Sequence, residues 1–177
     1  MPSGVTADTP TNLVVGAGLV YCDHAIFGAS VDNNVFRIER ELFTPELNGV
    51  KGVLLGTDYI KKSNGVVETT IPEVSAAVLA KGWPGSRSSG TSTVVIDEDD
   101  TRRVPTSDYH DWKLQVERLN GGAFDFEVDN AINRGNIEGE LRDDGLFAPR
   151  YTLTAAWDPA DTTVSPHRIR VLDVATS

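Results

Sequence analysis

The strongest constraint on the fold is a two-residue alternation of apolar and charged side chains that recurs along most of the chain. Trp112, Leu114 and Val116 alternate with Lys113, Gln115 and Glu117. Beyond Asn120-Gly121-Gly122, Phe124, Phe126 and Val128 alternate with Asp125, Glu127 and Asp129. Successive side chains of a strand point to opposite faces, so each run makes a ribbon with one apolar face and one polar face. The glycine-bearing link between them predicts an antiparallel hairpin.

The same grammar extends in both directions. Leu13 to Tyr21 reads as a strand, in which Gly16-Ala17-Gly18 marks a bulge or a close strand approach rather than a phosphate cradle, since no third glycine and no helix follow. Phe36, Ile38 and Leu42 oppose Arg37, Glu39 and Glu41, with Arg40 on the apolar side. A turn at Asn48-Gly49 leads to a further extended run from Val53 to Ile60. Later, Ile137 and Leu141 oppose Glu138 and Glu140. Asp143-Asp144-Gly145 turns the chain, and Tyr151, Leu153, Ala155 and Trp157 share a face until Asp158-Pro159. Arg168 to Val174 supplies a last strand.

Only one stretch has helical spacing. Thr70 and Glu73 fit a capping box and Pro72 falls in the first turn. Val74, Ala77 and Val78 form a stripe, and Lys81 and Gly82 precede Pro84-Gly85, so the spacing predicts a helix over about 71–81. The expected architecture is mainly β: a β-sandwich or open barrel with one short helix and long loops at Ser86–Ser92 and Asp97–Asp108. A length of 177 residues, 40% of them hydrophobic, suits one core. The domain is expected over 13–174, after a flexible arm 1–12 and before a tail 175–177.

Charge narrows the partners. A net charge of -10 repels phosphate backbones and anionic membranes, which disfavours a sequence-reading DNA binder. The single cysteine, Cys22, rules out an intrachain disulfide and reads as a small buried apolar residue. No Lys or Arg precedes Arg37, and the apolar run Leu13 to Tyr21 is too short to span a bilayer, so an unexported soluble protein with no membrane partner is expected.

Catalytic and metal chemistry find little purchase in the pattern. Asp23-His24 and His110-Asp111 put neighbours on opposite faces of a strand, and Asp108 with His110 makes only two ligands. The run Asp97-Glu98-Asp99-Asp100 reads as solvated loop charge. No serine sits in a nucleophile elbow and Cys22 has no activating neighbour. The expectation is no enzyme, no metal and no cofactor.

At Phe36-Arg37-Ile38-Glu39-Arg40-Glu41-Leu42, on through Glu46-Leu47-Asn48-Gly49-Val50-Lys51-Gly52 to Gly56-Thr57-Asp58-Tyr59-Ile60, the chain resembles the major tail tube proteins of long, non-contractile-tailed phages. The early strand Ala17 to Tyr21, the helix Pro72 to Leu79, Pro84-Gly85, the strands from Asn136 to Trp157 and Pro166 follow in that family's order. The likeness covers about Leu13 to Val174 and is poorest over Ser86 to Asp108. It implies a tail-tube-type fold whose copies form stacked hexameric rings in the virion, assembled in the host cytoplasm. The implied partners are further copies of itself, the tape-measure protein, the tail terminator and distal tail proteins, and DNA in transient, non-specific passage. An anionic bore would let the genome slide, because cationic walls bind phosphates and release counterions. Asp125, Glu127, Asp129, Glu138 and Glu140 are therefore candidate lumen-lining residues. The arm 1–12 and the loop Phe43, Thr44, Pro45, Glu46, Leu47, Asn48, Gly49, Val50, Lys51 are candidate ring-stacking segments. Two other readings share the β-rich composition. One is a different virion subunit, for capsid decoration or tail completion, and the other a carbohydrate- or protein-binding β-sandwich with Trp83, Trp112 or Trp157 as a platform.

Overall fold

Residues 14–45, 56, 58–72, 76–89, 93–96, 104–118, 122–136, 139–141 and 147–172 are described by a computed structural model. Its elements are β1 (Val14–Cys22), β2 (Ala25–Ala29), β3 (Val31–Phe43), β4 (Tyr59–Thr70), α1 (Ala76–Gly82), β5 (Ser86–Ser89), β6 (Thr93–Ile96), β7 (His110–Arg118), β8 (Ala123–Asn133), β9 (Gly139–Leu141), β10 (Phe147–Thr154) and β11 (His167–Leu172). The protein is mainly β with a single short helix among the described residues, as the alternation predicts.

Nine strands make one antiparallel sheet in the order β2-β1-β7-β8-β10-β4-β3, with β11 added to β8 and β9 to β10. The two ends of that order, β2 and β3, are separated in the chain by Ser30 alone. The sheet therefore curls until its ends meet. Ser30 fixes the corner by accepting a hydrogen bond at Oγ from the Gly18 amide (2.8 Å) and donating its own amide to the Gly18 carbonyl (2.7 Å). The close approach expected around Gly18 is present: a Cβ there would lie 2.5 Å from the Gln115 carbonyl oxygen. A second corner lies in β8, whose first half pairs with β7 and β11 and whose last residues pair with β10. Asn130 adopts φ 48° at that bend, close to the register shift between His110 and Trp112.

Inside, Trp112, Leu114 and Val116 are buried as their alternation requires. Tyr151 sits at the centre with Trp83 stacked at 5.1 Å and Phe27 edge-on at 5.9 Å. Helix α1 packs close to it, since a Cβ on Gly82 would come within 2.3 Å of the Tyr151 ring.

Four expectations need correction. Thr70 does not cap a helix: it is the last residue of β4, paired with both Arg150 and Val31, and Ile71 after it is fully buried. Sheet pairing on two sides outweighs a cap worth about 1 kcal/mol; Ile71 and Pro72 are not helical, and the described part of the helix is Ala76–Gly82. Glu73 and Val74 lie outside the described residues. Asp23 and His24 are not strand residues; both have positive φ (50° and 66°) and form the two-residue turn joining β1 to β2. The polar stretch from Ser86 begins with β5, because the β-branched run Thr93 to Ile96 gives it a pairing partner in a separate two-stranded sheet. Trp157 leaves the core face, since β10 ends at Thr154 and the ring is 42% exposed.

Candidate assembly surface

The surface that stands out is a strand stem projecting from the barrel. β3 and β4 pair along their full lengths, but the burial of β4 changes from exposed over Tyr59–Lys62 to buried from Gly65. β10 supports β4 only from Val66 onward. Leu42, Phe43, Tyr59 and Ile60 at the far end are 61%, 53%, 62% and 58% exposed. The register shifts between Glu41 and Leu42, which takes Leu42 out of line with Phe36 and its half-buried contact with Phe126. Ion pairs Arg37–Glu39 (3.0 Å) and Lys61–Glu41 (2.7 Å) run along the stem, and the Thr44 hydroxyl donates to the Asp58 carboxylate near its end. Of the predicted stacking loop, Phe43, Thr44 and Pro45 end the stem. Glu46 to Lys51 lie outside the described residues, as do the arm 1–12 and the Asp97 to Asp100 run.

The barrel is open, and its borders are unpaired. Among the described residues β3 pairs only with β4, β2 only with β1, and β11 only with β8. Ile169, Val171 and Leu172 on β11 are exposed. A border of free backbone groups flanked by apolar side chains is a template for another strand.

Asp125, Glu127 and Asp129 do share one face of β8, but they are not bare. Lys113 reaches Asp125 at 3.6 Å and the Gln115 amide donates to it at 2.8 Å. Arg168 contacts Glu127 and lies 2.9 Å from Asp129, and Arg170 lies 3.3 Å from Glu127. These groups line a concavity of ≈ 620 Å³. Burial raises the Asp129 carboxyl above its ordinary range, with Arg168 pulling the other way. The face is thus balanced in charge rather than purely acidic. Lys113 comes from the hairpin partner β7, but both arginines come from β11, whose register (Arg168 opposite Glu127, Arg170 opposite Asp125) local alternation cannot foresee. Glu140 lies in β9 opposite Ala148, and Glu138 is outside the described residues.

As ligand platforms, Trp83 and Trp112 are removed by burial at 4% and 3% exposure. Trp157 is left beside a concavity that Arg40, Lys62 and His167 also line. His167 itself is buried, with Nε2 3.2 Å from the Ser63 hydroxyl; burial and then the charge of Arg40 lower its pKa. Asp108 and His110, expected to share a face, part company: Asp108 accepts from the Gly85 amide at 2.9 Å, whereas His110 Nδ1 lies 2.9 Å from Asp23 Oδ2. Cys22 is buried as expected, and burial together with Asp23 pushes its thiol up to about 12. The meeting of Cys22, Asp23 and His110 was not legible in the sequence, where His110 is 87 positions from Asp23. No known family model matches the chain, and no curated protein matches it in sequence.

Proposed function

We propose that this chain is a self-assembling structural subunit of a phage tail tube, its open strand borders completed by further copies of itself in stacked rings. The projecting β3–β4 stem carries the reading. It holds four large apolar side chains in water at the end of two strands that the barrel does not support. Burying such side chains returns about 1.5–3 kcal/mol each, which rewards a neighbouring copy that covers them. The barrel core needs none of them, so the subunit folds first and associates second. The element order resembling tail tube proteins gives the assembly its form, rings stacked around a bore. Charge balance on the β8 face suits this reading in its own way, because cations held by Glu127 and Asp129 are not free to grip passing phosphates.

Negative-stain microscopy of the concentrated full-length protein tests the proposal. Long hollow tubes are expected, and Leu42→Glu with Tyr59→Glu should abolish them. Thermal stability should change little, since surface substitutions cost within about 0.5 kcal/mol each. A protein that stays monomeric with the tape-measure protein present, or tubes of the double variant indistinguishable from the original, would refute it.

A further inference from the structure

We infer that Cys22, Asp23 and His110 form a binding site for one zinc-type divalent transition-metal ion. This site does not depend on self-assembly. Strand pairing builds it: Cys22 ends β1 opposite Trp112, which brings His110, the first residue of β7, beside the β1–β2 turn. Asp23, the first residue of that turn, then lies between them.

The donor atoms are already nearly in place. Asp23 Oδ2 is 3.7 Å from Cys22 Sγ and 2.9 Å from His110 Nδ1, and all three donors lie within 4.8 Å of one another. Tetrahedral zinc with ordinary bond lengths separates neighbouring donors by about 3.4–3.6 Å, so the Asp23–His110 pair opens by roughly half an ångström and the widest pair closes by at most roughly 1.2 Å to seat the ion. Asp23 is held for the task by its neighbours. Its amide donates to the Asp111 carbonyl at 2.8 Å, and its Oδ1 accepts from the Asp111 amide at 3.3 Å. Outer hydrogen bonds of this kind orient metal-binding carboxylates.

Ligand chemistry selects the ion. Sulfur, imidazole nitrogen and one carboxylate suit zinc or cobalt and reject magnesium and calcium, which require oxygen. A cation is already drawn to this point: Lys81 Nζ lies 3.4 Å from Asp23 Oδ2. Its side chain is 46% exposed and free to swing away when a dication arrives. The ion would enter from the side of Asp23 and His110, whose side chains are 42% and 19% exposed, while buried Cys22 forms the floor. Water fills the fourth position, and the thiol proton passes to solvent as the sulfur–metal bond forms.

Cobalt(II) titration of the full-length protein, followed optically, reads the site directly, because thiolate-bound cobalt absorbs in the near ultraviolet and tetrahedral cobalt in the visible. Saturation at one ion per chain is expected, with both bands bleached by zinc. Cys22→Ala should remove the near-ultraviolet band. His110→Ala, at a partly exposed position, should weaken binding by at least about tenfold, since even outer-shell partners of a metal site are worth 10–100-fold. Absence of the near-ultraviolet band at excess cobalt, its survival in Cys22→Ala, unchanged affinity in His110→Ala, or two chains per ion would each overturn the inference.

Discussion

Gly65 offers the sharpest test of how the barrel is held to its edge strand. A Cβ added there would stand 2.4 Å from His167 Cβ and 2.8 Å from its Cγ. Carbon atoms pack best at about 3.5–4.0 Å, so Gly65→Ala forces β4 and the start of β11 apart by more than about 1 Å. The neighbouring Cβ is fixed to the backbone and cannot rotate away. Gly65 also accepts the Ala155 amide at 2.9 Å, which ties the same spot to the segment after β10. Overpacking of this kind costs about 1–3 kcal/mol, or about 2–12 °C in Tm for a protein of this size. Urea denaturation of the single variant and of pairings with His167 substitutions isolates the cause. His167→Gly removes the clashing atom and should recover most of the loss, as a coupling of about 1 kcal/mol or more in the double-mutant cycle. His167→Ala keeps that atom and should recover little. Equal rescue by Ala and Gly, or a Gly65→Ala protein as stable as the original, would refute the reasoning.

Tyr151→Phe should leave stability unchanged or raise it by about 1 kcal/mol in thermal unfolding, because the hydroxyl is buried without a hydrogen-bond partner among the described residues; a loss above about 1 kcal/mol would show a hidden partner. Desolvation pushes the Glu68 carboxyl up, but the Arg150 hydrogen bond and the Arg37 and Arg150 charges outweigh it and hold the group below its ordinary 4.5. The native state then binds fewer protons than the unfolded one, so this stabilisation is complete above pH 4.5 and is lost as pH falls through the lowered value. Urea midpoints over about pH 3–5 should therefore fall less steeply in Glu68→Gln than in the original protein, and parallel slopes would contradict this assignment.

Local pattern was enough to read the class of the fold. A two-residue period needs only neighbours in the chain, so the β7–β8 hairpin, its buried Trp112–Leu114–Val116 face and the tight spot at Gly18 were all visible in advance. Burial of Cys22 followed from its type alone. The capping box at Thr70 fails because it is a weak local signal, while Val66 to Thr70 is claimed by two strands that lie far away in sequence. The β-branched residues of that run were the overlooked sign. Long-range register decided the rest. Arg168 and Arg170 neutralise the β8 acids only because β11 pairs with β8 in one register, and Cys22, Asp23 and His110 converge only because β1 lies beside β7. Sequence determined which side chains could share a strand face, since that depends on covalent spacing; tertiary structure decided which faces met, since that depends on pairing between segments the chain itself keeps apart.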